Sequence, residues 1–109
     1  MAWLLRDEEV LAALELATSR QDRMRGLLGR DHVDGALLLD PCRSVHSFGM
    51  RFPIDVAFCD RDLVVLRSLT LVPNRLTRPS PRCRCVIEAE AGAFDRWKLR
   101  PGDRLEVRS

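Results

Sequence analysis

The side chains best suited to chemistry crowd into one stretch, Pro41-Cys42-Arg43-Ser44-Val45-His46-Ser47-Phe48-Gly49-Met50-Arg51-Phe52-Pro53-Ile54-Asp55. Cys42 stands four residues before His46, with Arg43 between them. An imidazole or guanidinium beside a thiol lowers its pKa and releases a nucleophilic thiolate, so a small enzyme using Cys42 or His46 is one reading. Nothing in the sequence supplies an evident oxyanion hole, and a small buried thiol beside a proline is the plainer account. A metal site would draw on Cys42, His46, Cys83 and Cys85. Structural zinc sites pair ligands at Cys-x2–4-Cys spacing with a second pair, and Cys-x3-His with Cys-x-Cys matches no such set. Neither a metal nor a cofactor is expected.

Asp55 interrupts the apolar run Phe52-Pro53-Ile54-Asp55-Val56-Ala57-Phe58. A carboxylate among apolar neighbours needs a partner, and Arg23, Arg30, Arg51 and His46 are the candidates. A structural ion pair is the first explanation, and a pocket carboxylate that orients a ligand is the second. Elsewhere, Arg75, Arg78, Arg82 and Arg84 stand in a segment from Val72 to Val86 that contains no acid. Guanidinium forks suit phosphate, which makes an anion or nucleic-acid contact through Arg75–Arg84 conceivable. The segment carries no aromatic residue for base stacking, so a solvated loop is favoured and nucleic acid is not an expected partner.

These residues sit in a chain of 109, the size of one domain over residues 1–109, long enough to bury a core without staples. With 46% hydrophobic and 31% charged residues it reads as an ordinary globule. Eighteen basic residues against sixteen acidic ones leave a formal charge of +2, too balanced for a dedicated nucleic-acid binder. Seventeen of the eighteen are arginine. The first residues lack the basic start and long apolar stretch of a signal peptide, and no run approaches a membrane span, so a cytoplasmic location without a membrane partner is expected. Reduced thiols go with that compartment. On one side of a strand, Cys83 and Cys85 would stand too far apart to bridge.

The elements that position these residues are mostly β. Val10 to Ala17 fits a helical face and a strand face equally well. Ser19, with Asp22 three residues on, resembles a capping box opening a helix over about 20–28; Met24, Leu27 and Leu28 share a face and Gly29 is a left-handed terminator. Ala36 to Leu39 reads as a short buried strand, and Ile54 to Cys59 as another entered through Pro53. Asp60-Arg61-Asp62 is a hairpin turn into Leu63 to Val72, which is apolar on both faces and therefore expected near the middle of the sheet. Cys83, Cys85, Ile87 and Ala89 alternate with Arg84, Val86, Glu88 and Glu90, the pattern of a half-buried strand with one mainly polar side. A short helix within 92–99 presents Phe94 and Trp97, Arg100-Pro101-Gly102-Asp103 makes a type II turn, and Leu105 to Val107 closes the chain as a strand. The expected fold is α+β and β-rich, a small curled or closed mixed sheet, barrel-like, with two short helices.

Six motifs in order give the chain a resemblance. They are Arg23-x-x-Gly26-Leu27-Leu28-x-Arg30, Ser47-Phe48-Gly49-Met50, Ile54-Asp55-x-Ala57-Phe58, Asp60-x-Asp62, Val86-Ile87-Glu88-Ala89-x-Ala91-Gly92 and Gly102-Asp103. From about Leu14 to Val107 the chain resembles the family called domain of unknown function 192, and the version of residues 41–53 looks like an actinobacterial branch. The family often has tryptophan where Gly49 stands and methionine where Leu28 stands. The resemblance implies a compact β-rich domain in which Val10 to Ala17 is a strand feeding the helix. It supplies no activity, but implies that Arg23, Arg30, His46, Met50, Asp55 and Glu88 converge. The function expected is a non-catalytic ligand-binding or accessory domain serving an unidentified small ligand or protein partner. Its cleft, around residues 42–58, would be lined by Phe48, Met50 and Phe58, with Arg30, His46 and Asp55 as polar contacts.

Overall fold

A two-residue reversal opens the chain. In the computed structural model, which describes residues 2–109, strands β1 (Ala2–Arg6) and β2 (Glu9–Ala17) pair antiparallel with Arg6 opposite Glu9. Asp7 and Glu8 between them both take positive φ, 51° and 68°. Two such residues in sequence are the type I′ geometry that matches strand twist, here reached without glycine. Val10 to Ala17 is thus strand, in agreement with the resemblance.

β2 then pairs parallel with β3 (Ala36–Leu39), and a parallel neighbour requires a crossover. The crossover carries α1 (Arg20–Arg25), whose N-cap Ser19 accepts from the Asp22 N–H at 3.1 Å, the bond the sequence suggests. The helix ends at Gly26 rather than near residue 28. Its φ of +51° stops the helical ladder, while Gly29 (φ +86°) shapes the turn beyond. Met24 is consequently exposed and Leu27 buried, so the expected shared face is not formed.

The remaining strands are β4 (Ile54–Cys59), β5 (Val65–Leu71), β6 (Cys85–Glu90) and β7 (Glu106–Arg108), with α2 (Ala93–Trp97) after β6. They complete a mixed seven-stranded sheet of order β5-β4-β6-β3-β2-β1-β7. Its two edges curl toward one another. Val65 N–H donates to the Asp103 carbonyl at 2.8 Å, Gly102 N–H to that of Val65 at 2.7 Å, and Leu105 N–H to that of Leu63 at 2.9 Å. With one isolated bridge between Val64 and Arg104, the sheet is curled but not closed.

The order reverses two expectations. β5, expected to be apolar on both faces, is an edge strand that also carries Arg67, Ser68 and Thr70, and Arg67 lies over the Phe58 ring at 4.1 Å and donates to the Arg78 carbonyl. β6, expected to show a polar side, is central and buried on both faces from Cys85 to Ala89, Glu88 included. Central position comes from pairing with β3 and β4, which the period of one strand does not encode.

Two apolar layers follow. Leu4, Leu14, Leu38, Ala57, Ile87 and Phe94 build the layer under α2, where Phe94 and Trp97 pack at 5.4 Å. Leu27, Leu37, Leu39, Ile54, Val56, Phe58 and Val86 build the other, under α1 and the 41–53 segment. The Arg100–Asp103 turn has Gly102 at φ +95°, as a type II turn requires. Among the described residues no helix is long and apolar enough to cross a membrane.

Candidate functional site

The alternation of β6 sends Glu88 into the layer under α1. Its cross-strand neighbours are Leu37 on β3 and Val56 on β4, both apolar. Glu88 is 3% exposed, and its Oε1 is buried with no hydrogen-bond partner among the described residues. Burial pushes its carboxyl up to about 7, against a smaller opposing pull from the Arg30 charge. Such a group is half ionised at neutral pH. Above it stands Gly26, where an added Cβ would come 3.4 Å from Oε1; α1 therefore ends on glycine directly over this carboxylate.

Between α1 and the 41–50 segment a cavity of about 440 Å³ opens over Glu88. Leu27, Leu39, Val45 and Met50 give it apolar walls, and Arg20, Arg23 and Arg25 stand along its α1 side. Pro41, Cys42, Ser44 and His46 form the opposite side. The segment is held by β-like bonds to the 73–84 loop. Ser47 N–H donates to the Arg75 carbonyl at 2.8 Å, Cys42 N–H to that of Arg84 at 2.8 Å, and Val45 N–H to Thr77 Oγ1 at 2.9 Å.

Of the residues singled out from the sequence, Arg23, Cys42, His46, Met50 and Glu88 line this one cavity. The rest stand elsewhere. Asp55 projects from β4 to the opposite layer, where Oδ1 accepts from Thr70 Oγ1 at 2.8 Å and Oδ2 from the Gly92 and Phe94 N–H groups at 3.0 and 3.1 Å. Its partners are thus a hydroxyl and the first turn of α2, not Arg23, Arg30, Arg51 or His46. Phe58 is fully buried in the core rather than lining a cleft. Arg30 forms a bidentate pair with Glu15 at 3.1 and 2.7 Å outside the cavity, and Arg51 pairs with Asp31. Phe48 is half exposed, stacked on the His46 ring at 5.3 Å.

The surroundings of Cys42 and His46 bear on the nucleophile reading. Burial pushes the Cys42 thiol up, and its S–H donates to the Ser44 carbonyl at 3.1 Å. His46 Nδ1 accepts from the Phe48 N–H, and no hydrogen bond joins His46 to Cys42 among the described residues. The four cysteines are free, and no group of three or more His, Cys, Asp or Glu among the described residues could hold a metal ion. In the arginine loop, Arg84 pairs with Asp40 at 2.9 Å, while Arg75, Arg78 and Arg82 face outward.

Comparison with known proteins fits this geometry to a lineage. The model of the domain of unknown function 192 family, described as an uncharacterized ACR, matches residues 3–107. The chain belongs to this family. UPF0127 protein PH1112 of Pyrococcus horikoshii is 36% identical over 63 residues, 58% of this chain and 55% of that relative, so the chain matches about half its length. A protein of unknown function from Novosphingobium aromaticivorans superposes with a TM-score of 0.82 at 19% identity, over 96% of this chain and 82% of that one. A Sinorhizobium meliloti protein, described provisionally as a transcription regulator, gives 0.81 at 26% identity over 97% and 91%.

In this member of the domain of unknown function 192 family the matched motifs divide between two places. Arg23, Gly26, Met50 and Glu88 surround the cavity, whereas Asp55 and Gly92 meet at the start of α2. Leu28 and Gly49 are neighbours: a Cβ on Gly49 would meet Leu28 Cδ1 at 3.3 Å. Sequence reasoning missed Gly26 and the flanking Arg20 and Arg25. The available signal was the glycine inside the Arg23 motif, placed three residues before the expected terminator Gly29.

Proposed function

We propose that the protein is a non-catalytic ligand-binding domain whose site is the cavity between α1 and residues 41–50. The observation that carries the reading is the unpartnered, buried Glu88 Oε1 at the cavity wall. Buried polar groups are almost always hydrogen-bonded, because an unmade bond costs about 1–3 kcal/mol. A carboxylate left without a donor beside an open cavity is completed by something that enters it. Apolar walls with a few polar groups are the usual composition of small-molecule sites, and the volume of about 440 Å³ falls in their usual range.

An enzyme built on Cys42 and His46 is disfavoured by the raised thiol and the occupied imidazole nitrogen. The provisional description of the Sinorhizobium protein invites a nucleic-acid reading through Arg75, Arg78 and Arg82. That loop offers no aromatic side chain for stacking, and Arg84 is already paired. A chemically diverse metabolite set screened by thermal shift tests the ligand reading, since specific binding raises the melting temperature by mass action. Hits should vanish in Ser44→Trp, whose indole fills the cavity. Hits that survive it, or a screen without hits, overturn the reading.

A further inference from the structure

The cavity is electrically two-sided. At the sheet side stands Glu88, flanked in register by Leu37 and Val56, with Oε1 buried and unpartnered. On the α1 side stand Arg20, Arg23 and Arg25, and Glu88 is the sole carboxylate among the described lining residues. Arg23 is held by a bond from Nη1 to the Thr18 carbonyl, and neither Arg20 nor Arg25 has an ion pair among the described residues. Nor does any salt bridge join Glu88 to a guanidinium there, so the opposite charges are kept apart by the space between them.

We propose, building on the ligand-binding reading above, that this cavity takes a dipolar organic ligand: an ammonium or amidinium group seated on Glu88, and a carboxylate or phosphate held at the α1 side by Arg20, Arg23 and Arg25. Each end of such a ligand answers a separate observation. The cation brings N–H donors and a countercharge to a buried carboxylate that has neither, which is the arrangement that makes a buried charge tolerable. The anion meets guanidinium forks, whose planar donor pairs suit carboxylate and phosphate oxygens. A simple anion would enter facing the like charge of Glu88, and a simple amine would pass three arginines. Only a ligand carrying both charges matches both sides.

The charges around Glu88 set the pH behaviour. They are Arg20, Arg23 and Arg25 on α1, Arg30 beyond it, and Cys42 and His46 across the cavity. Because burial holds the Glu88 carboxyl near 7, the free protein is mostly protonated there below neutrality. A ligand cation must displace that proton. Affinity therefore climbs about tenfold from about pH 6 to a plateau above about pH 8, where the carboxylate is fully ionised and an alkyl ammonium is still charged.

The test uses the whole chain and melting temperature as the first readout. The probes are ω-amino acids from glycine to 6-aminohexanoate and aminoalkyl phosphates such as 2-aminoethyl phosphate, with hexanoate, ethyl phosphate and hexylamine as one-charge controls. At least one dipolar probe should raise the melting temperature while its one-charge counterparts do not. The two anion series tell carboxylate from phosphate, and chain length reads the span from Glu88 to the arginines. In titrations, Glu88→Gln should weaken the dipolar probe at least tenfold and flatten the pH dependence, which separates Glu88 from His46. Arg20→Ser with Arg25→Ser, both at exposed positions, should weaken it without removing that dependence. Hexanoate or ethyl phosphate binding as well as its amino counterpart, with Glu88→Gln indifferent, overturns the proposal. If the diverse screen still gives hits sensitive to Ser44→Trp, the broader ligand-binding reading stands; if both series and the screen are empty, both fall.

Discussion

Asp55 and Glu88 are carboxylates of neighbouring strands, one residue out of register, and they face opposite sides of the same sheet. Val56 is opposite Glu88, and Asp55 is opposite Ala89. Both are nearly as buried as the leucines around them, at 4% and 3% exposure. Asp55 receives three hydrogen bonds, two of them from the backbone of α2's first turn and one from Thr70. Glu88 Oε1 receives none among the described residues, and Glu88 is one of the residues that line the cavity under α1. The same chemical group, at the same depth, is a fastener on one face and an unfilled acceptor on the other. Burial of a carboxylate alone therefore does not single out a site; the proposed ligand site rests on burial without satisfaction.

The largest expected effect is at the satisfied carboxylate. Asp55→Ala leaves the Gly92 and Phe94 N–H groups and the Thr70 hydroxyl without their acceptor in a buried setting. Charge-assisted bonds of this kind contribute about 1.5–3 kcal/mol each but not additively, so a loss of about 3 kcal/mol is expected, read as a lower urea midpoint with unchanged slope. Thr70→Val, which removes one donor, should cost about 1 kcal/mol. If Asp55→Ala costs no more than Thr70→Val, the α2 contacts are idle and the contrast with Glu88 collapses.

Glu88 should behave in the opposite sense. Its folded-state pKa is raised to about 7 by burial, from an ordinary value of 4.5. A raised carboxyl favours the protonated form in the folded state, so the stability it confers is complete below about pH 4.5 and is lost as pH rises through about 7. The shift corresponds to about 3 kcal/mol between those limits. Glu88→Gln removes the titration. Near pH 5 it should match the wild type, and near pH 8 it should be more stable by about 2 kcal/mol, somewhat below the full difference because the amide also wants a partner. Denaturation curves at the two pH values decide it, and a variant less stable at pH 8 would reveal a partner for the carboxylate in the unliganded protein.

Between these two in consequence lies Cys42. With its thiol pushed up by burial, and further by the Glu88 charge, alkylation at neutral pH should be slower than for free cysteine. In Glu88→Gln the rate should rise modestly as that charge disappears. A wild-type rate above that of free cysteine would restore the nucleophile and shift the contrast from one unpartnered carboxylate to a reactive pair.

What the sequence made legible follows the range of the forces involved. The strand at Ala36–Leu39, the Ser19 cap, the turn at Arg100–Asp103 and the hairpin at residues 60–62 are decided within a few residues, and they stand where expected. Strand order is not local. β5 stands at the edge instead of near the middle, and β6 is buried on both faces instead of one, because a strand's own pattern does not say how many neighbours it has. Asp55 was matched to arginines because side-chain cations can be read from a sequence, while the backbone N–H groups of a short helix 37 residues on cannot. Glu88 sits in an alternation that reads as solvent-facing, and only the family motif points to it. The cavity residues come from four segments, α1 with the turn after it, the end of β3 at Leu39, the 41–50 segment and β6, joined by the crossover and the sheet. Their convergence is tertiary.

Arg30 provides the smallest test and the most selective. Its bidentate pair with Glu15 stands in partial solvent, with side chains 37% and 56% exposed. Exposed pairs of this kind contribute about 0.2–1 kcal/mol, so Arg30→Ala should lower stability by about 0.5 kcal/mol. Yet the Arg30 charge is also the one that holds Glu88 down against desolvation. Removing it should therefore move the Glu88 titration further upward, visible as a displaced pH–stability curve, while the contribution of Asp55 on the far face stays fixed. A double-mutant cycle of Arg30→Ala with Glu88→Gln should show coupling at pH 8 and none at pH 5; the cycle with Asp55→Ala should show none at either. Coupling to Asp55 instead would mean that the sheet transmits charge between its faces, and the two carboxylates would no longer be independent.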